Sequence, residues 1–170
     1  MFLIESKIDP DKDEKGFLDF ILGPEFPFYY GMTTKNYNTF IHGILIRSGS
    51  DSEGIPASDK AEYWVRRIFD KFCIQNNITY NKLLRACVYS TTYNTGLHGD
   101  VHVDHSFPHY NFILYVNDDY TNGETYIYFE NDLVKIKPEK YKAIVFNGVP
   151  HAQGFCGVGE RRVVLVITFN

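Results

Sequence analysis

Hydrophobic and polar positions divide the chain into an early part with two helical patterns and a late part of short strands. Ala61, Trp64, Val65, Ile68, Phe69 and Phe72 recur at helical spacing and predict an amphipathic helix over Asp59 to Cys73, with Asp59 and Glu62 imitating a capping box. Charged and apolar residues alternate at a similar period from Lys12 to Ile21, where Gly23-Pro24 ends the pattern. Largely apolar runs predict strands over Thr39–Ile46, Leu83–Thr92, Tyr110–Val116, Thr125–Phe129, Leu133–Ile136, Ala143–Phe146 and Val163–Phe169. Between them, Ser48 to Ala57 is a polar, Gly-rich stretch that reads as a surface loop, with a lid as the alternative. Helices early and turn-separated strands late predict a mainly β (α+β) protein, a jelly roll backed by N-terminal helices. No repeat or linker splits the sequence, so 1–170 reads as one domain, with 1–82 as support and 83–170 as core.

Composition narrows this picture. A chain of 170 residues with 44% hydrophobic content can bury a substantial core. Aromatic content of 16% suits a sheet-rich protein with an aromatic-lined pocket. A formal charge of −4 and a pI near 5.8 argue against a general nucleic-acid binder. Cys73, Cys87 and Cys156 lack metal-finger spacing, and an odd count without an export signal points to reduced thiols in a cytoplasm. No run approaches the roughly 18 apolar residues of a membrane span.

The chemistry concentrates late in the chain. His102-Val103-Asp104, with His151 far downstream, has the composition of the two-His, one-carboxylate triad that holds non-haem Fe(II). In a strand, residues i and i+2 share a face roughly 6–7 Å apart, so an imidazole and a carboxylate can converge on one ion. A second His-x-Asp, His98-Gly99-Asp100, precedes it. Gly96 and Gly99 make that stretch a bend, whereas Val101 and Val103 give His102 a better strand setting, which favours His102 and Asp104. His98 and Asp100 then fall at the pocket mouth. His105 and His109 read as ordinary loop residues, and His42 as a hydrogen-bonded strand histidine.

Arg161 and Arg162 open the last strand. Arg161 shares parity with Val163, Leu165, Ile167 and Phe169, a wholly apolar face, and is therefore expected to point inward. A buried guanidinium needs a partner, and a dicarboxylate co-substrate offers a bidentate one. The other reading is that Arg161 pairs with an internal Asp or Glu or lies at the strand mouth in water, and Arg162 is the next candidate for the anchor. Tyr93 is a candidate contact for co-substrate or substrate, against ordinary packing as the default for an aromatic residue. Cys156 reads as a packed small residue.

From about Leu84 onward the chain resembles the prolyl 4-hydroxylase-like branch of the Fe(II)/2-oxoglutarate-dependent oxygenases. The resemblance is carried, in order, by His102-Val103-Asp104, Phe112-Ile113-Leu114-Tyr115-Val116-Asn117, Gly123-Glu124-Thr125, Val149-Pro150-His151 and Gly159-Glu160-Arg161. Phe26-Pro27-Phe28-Tyr29-Tyr30 is also similar to small phage and marine-bacterial members. The resemblance implies a double-stranded β-helix, Fe(II) on His102, Asp104 and His151, 2-oxoglutarate on Arg161, and Thr125 beside that co-substrate. It further implies consumption of O₂, release of succinate and CO₂, ascorbate as a supporting reductant, and hydroxylation of a small-molecule or peptide substrate. A carboxylate at Asp104 fits hydroxylation, since its loss would open a position for halide. The competing reading is a non-catalytic, cupin-like metal-binding or interaction module. A metal-dependent hydrolase or isomerase of cupin type is a third. Substrate identity and oligomeric state are not legible in the chain.

Overall fold

The computed structural model describes residues 2–31, 39–49 and 51–170, so Ser50 of the expected Ser48–Ala57 loop lies outside the described residues. In chain order the elements are β1 (Leu3–Lys7), α1 (Lys12–Leu22), β2 (Tyr29–Gly31), β3 (Thr39–Ile46), β4 (Ile55–Pro56) and α2 (Asp59–Gln75). They continue with β5 (Leu83–Thr92), β6 (Tyr110–Tyr115), β7 (Thr125–Phe129), β8 (Asp132–Ile136), β9 (Lys142–Asn147), β10 (His151–Gln153) and β11 (Arg161–Phe169). The main sheet runs β1-β9-β6-β11-β5-β3-β2, with β4 added to β3, and a smaller sheet runs β10-β7-β8. Every pairing is antiparallel. This is the double-stranded β-helix expected from the sequence. The N-terminal third does more than back it, because β1, β2 and β3 are hydrogen-bonded into the main sheet.

Both faces of the main sheet are covered. One face packs on the helices: Val65, Ile68, Phe69 and Phe72 of α2 meet Phe112 and Leu114 of β6 and Leu165, Ile167 and Phe169 of β11. Phe69 sets its ring edgewise on Phe112 and Phe169 at centroid distances of 5.1 and 4.9 Å. Burying each such ring contributes ~1.5–3 kcal/mol. The other face looks toward the smaller sheet, where Ile113, Tyr115, Ile144, Val164 and Val166 meet Ile127 and Ile136. The site opens within this second layer.

The helix ends differ from expectation. Ser58, not Asp59, holds the N-cap position of α2, and its side chain makes no cap hydrogen bond. The capping box belongs to α1. Asp11 accepts from the backbone N–H groups of Asp13 and Glu14, and Glu14 accepts from the backbone N–H of Asp11 at 2.8 Å. Glu14 is buried and also bonds Arg67 Nε at 3.1 Å and Lys71 Nζ at 2.6 Å, which fastens α1 to α2.

Burial raises the Glu14 carboxyl, but Lys71, the Asp11 N–H and Arg67 outweigh it and hold it below the ordinary glutamate value. A carboxyl depressed on folding stabilises the protein above its unfolded pKa, about 4, and loses that contribution as pH falls through the lower folded value. Glu14→Gln is therefore expected to cost about 2 kcal/mol in urea unfolding at pH 7, with the gap closing below about pH 4. A gap of equal size at every pH would sink the ion-pair account.

Candidate metal centre

His102, Asp104 and His151 converge, with one ligand atom from each lying within 4.8 Å of the others. They are positioned by two segments rather than by one regular strand. His102 and His151 form an isolated antiparallel bridge, with His102 N–H to His151 O at 3.0 Å and His151 N–H to His102 O at 2.9 Å. Further bonds, Gly99 N–H to Gln153 O and Phe155 N–H to Leu97 O, make residues 97–102 an irregular neighbour of β10. Val101 and Val103 are exposed, so the setting expected for His102 within a strand is replaced by this bridged loop. His98 bridges Gly154 instead, and its ring packs against Tyr126 and Tyr128. His98 and Asp100 are not part of the three-ligand cluster.

The donor set suits a divalent ion. Nδ1 of His102 lies 3.0 Å from Asp100 O, and Nδ1 of His151 lies 2.9 Å from Val149 O. A carbonyl only accepts, so each Nδ1 carries a proton, and Nε2 is the nitrogen whose lone pair a metal ion would take. His151 Nε2 then faces Asp104 Oδ2 at 3.4 Å. Two lone pairs at that distance repel unless a cation, a proton or a metal, sits between them. Fixing ring orientation through the second nitrogen is also how metal-bound histidines are held.

Asp104 is buried and heavily partnered. Its Oδ1 accepts from Arg85 Nη2 at 2.6 Å and lies 3.6 Å from Arg47 Nη2. Burial would raise its pKa, but the Arg85 guanidinium and then the His151 imidazole hold the carboxyl well below the usual range. His105 and His109, expected as ordinary loop residues, are both buried. His105 Nε2 bonds Thr168 Oγ1 at 2.9 Å, and burial pushes its pKa down to about 4.

A cavity of about 370 Å³ opens on the triad. Its lining includes Arg162 and Thr125 as well as all three triad residues. Arg162 is 1% exposed. It donates from Nε to Gly123 O at 2.9 Å and from Nη2 to Thr125 Oγ1 at 3.1 Å, and lies over the Tyr115 ring. The Tyr115 hydroxyl is 2.6 Å from the same Thr125 oxygen. Gly123 has φ of +75°, and a Cβ there would strike the Tyr120 ring at 2.6 Å, so glycine is required at this turn.

Arg161 and Arg162 lie on opposite faces of β11, and only Arg162 lines the cavity. Arg161 faces the helix side, half-buried, and donates from Nη2 to Leu22 O at the end of α1 at 2.7 Å. It does not line the cavity. The apolar face it shares is the helix-packed core, whereas the face of Arg162, Val164 and Val166 borders the cavity. Tyr93 lies past the end of β5, 50% exposed and outside the lining, while Tyr89 of β5 lines the cavity. Thr125 lies in the cavity lining. His42 bonds Pro27 O at 2.7 Å, as a strand histidine should. Cys156 is buried and packed, with Sγ 3.4 Å from Thr91 O. Arg47, Arg85 and Gln153 were not anticipated in the lining. A lone Arg85 inside the apolar run Leu83 to Val88 was the available signal, since a buried charge demands a partner.

No family sequence model and no curated protein matches the chain. Solved structures do match. An oxidoreductase of the 2OG-Fe(II) oxygenase family from Burkholderia pseudomallei superposes with TM-score 0.76 at 13% identity, covering 99% of this chain and 85% of that one. A prolyl hydroxylase from Trichoplax adhaerens, in complex with a hypoxia-inducible-factor peptide, gives 0.64 at 17% identity, covering 98% and 82%. The viral collagen prolyl hydroxylase of Paramecium bursaria Chlorella virus-1, as its 2-oxoglutarate complex, gives 0.58 at 16%, covering 96% and 94%. The chain has the fold of the 2-oxoglutarate/Fe(II) oxygenases, and structures of prolyl hydroxylases are among those it resembles. Among the described residues, no helix is long and apolar enough to cross a membrane.

Proposed function

We propose that this protein is an Fe(II)- and 2-oxoglutarate-dependent dioxygenase that hydroxylates a C–H bond of a peptidyl, amino-acid or other small substrate. The observation that carries the reading is the sharing of one cavity by the His102-Asp104-His151 cluster and the buried guanidinium of Arg162. A merely structural metal site has no use for that guanidinium. His102, Asp104 and His151 would hold the iron, and when bound, iron with 2-oxoglutarate and O₂ supplies the oxidising chemistry, with succinate and CO₂ as products.

The protein's own groups do the rest. The Nδ1–carbonyl bonds hold both imidazoles in orientation, and Arg85 keeps Asp104 ionised. Arg162 has Nε and Nη2 committed to Gly123 and Thr125, which leaves Nη1 for the distal carboxylate of 2-oxoglutarate. Thr125 and Tyr115 fix the guanidinium beside that carboxylate. Ile113, Val164 and Val166 exclude water from the cavity wall.

The test is succinate formation from 2-oxoglutarate by purified protein with Fe(II), ascorbate and air. Slow turnover is expected without added substrate, lost in His102→Ala and retained in His98→Ala. The reverse pattern would move the iron pair to His98 and Asp100. Metal binding without any 2-oxoglutarate binding would favour the cupin-like module instead.

A further inference from the structure

We infer that Arg47 and Arg85 form a second anion subsite, so that the molecule oxidised in this cavity carries a carboxylate or phosphate group. The inference rests on the oxygenase reading of the same cavity and names its substrate class.

Charge in the lining is unbalanced. The cavity walls carry three guanidiniums, Arg47, Arg85 and Arg162, and a single carboxylate, Asp104. A carboxylate that ligates a divalent cation commits its charge to the ion, so the Arg47–Arg85 pair is left facing the cavity with less than one compensating charge. Hydrogen bonding is incomplete as well. Arg85 reaches Asp104 through Nη2, while its Nε is buried with no hydrogen-bond partner. Arg47 approaches the same oxygen only to 3.6 Å, beyond hydrogen-bond distance. Guanidinium N–H groups are strong, obligatory donors, and an incoming carboxylate or phosphate would satisfy those that face the cavity.

Position separates this pair from the proposed co-substrate anchor. On the β11–β5 ladder Arg162 lies opposite Thr91, whereas Arg85 lies opposite Thr168. Six residues of strand, roughly 20 Å, separate the two ends. An anion gripped by Arg162 therefore leaves Arg85 and Arg47 to a second anion. Tyr89 and Val103 line the cavity with this pair and offer an apolar surface for the rest of that molecule. A neutral peptide segment would leave the two guanidiniums uncompensated beside the reacting centre.

The experiment uses the 170-residue protein loaded with Mn(II), a redox-inert stand-in for Fe(II), and saturating 2-oxoglutarate without oxygen. Phenylacetate, phenyl phosphate and the neutral phenylacetamide are titrated in turn by calorimetry. At least one anion is expected to bind ~10-fold or more tightly than the amide. Which acid wins identifies carboxylate or phosphate. Arg47→Gln, at an exposed position, is expected to remove most of that preference without weakening the amide. Equal or undetectable binding of acids and amide overturns the inference, as does an unchanged preference in Arg47→Gln. The initial 2-oxoglutarate titration keeps the two readings apart: its failure sinks the oxygenase reading, whereas its success without anion preference sinks only the subsite.

Discussion

Replacing Arg162 with methionine should raise the Kd for 2-oxoglutarate by about 30-fold to several-thousand-fold, while Arg161→Ala changes it by less than ~2-fold. The large effect follows from burial. Arg162 is 1% exposed, held by Gly123 and Thr125, and any carboxylate it meets is removed from water. Losing one partner of a desolvated, hydrogen-bonded charge pair costs about 2–5 kcal/mol, and each 1.4 kcal/mol is about tenfold in Kd. Methionine keeps much of the volume and removes the charge, so the fold is preserved better than with alanine. Arg162→Lys should recover only part of the affinity, because an ammonium lacks the planar fork that Gly123, Thr125 and a carboxylate share. Arg161 donates to the Leu22 carbonyl on the helix side, so its loss should lower thermal stability slightly and leave co-substrate binding alone. Calorimetric titration of 2-oxoglutarate into the Mn(II)-loaded variants reads both effects. If Arg161→Ala abolishes binding and Arg162→Met does not, the anchor assignment is wrong.

The pair of arginines also shows where the sequence stops being informative. β11 was visible as an apolar run, and β3, β5 and β7 fall on the residues that the pattern marked. What parity cannot say is which of two buried faces borders a cavity. Leu165 and Ile167 pack on α2, Val164 and Val166 line the cavity wall, and both sets are apolar. Only the position of the smaller sheet breaks that tie. The strands missed have a related cause. β4 and β10 are two and three residues long and exist because β3 and β7 offer them ladder partners. Edge strand β1 likewise depends on its ladder with β9. The triad was legible as residue types, yet its geometry came from a bridged loop. His102 and His151 exchange backbone hydrogen bonds across it, a long-range contact that no local period encodes.

The carboxylate of that triad serves metal and fold together, and the two roles should separate by mutation. Asp104→Asn is expected to weaken metal binding by more than the ~10–100-fold typical of losing an outer partner, because it removes a charged ligand itself. The same change should destabilise the metal-free protein by about 3 kcal/mol, since Arg85 would keep its charge in a largely buried position without its carboxylate. This figure sits at the low end of the range for broken buried pairs, because the Arg85 side chain retains 15% of its exposure and some water. Adding Arg85→Met to Asp104→Asn should then restore most of the lost stability, because the buried unpaired guanidinium is gone and Arg47 is exposed to water, while metal binding stays lost. Urea unfolding of the metal-free single and double variants, beside Mn(II) titrations, separates the effects. Stability unchanged in Asp104→Asn would mean that the Arg85–Asp104 pair is not formed in solution. In that case Arg85 would be free to face the cavity, and Asp104 would have to owe its orientation to His151 and the buried His105 segment alone.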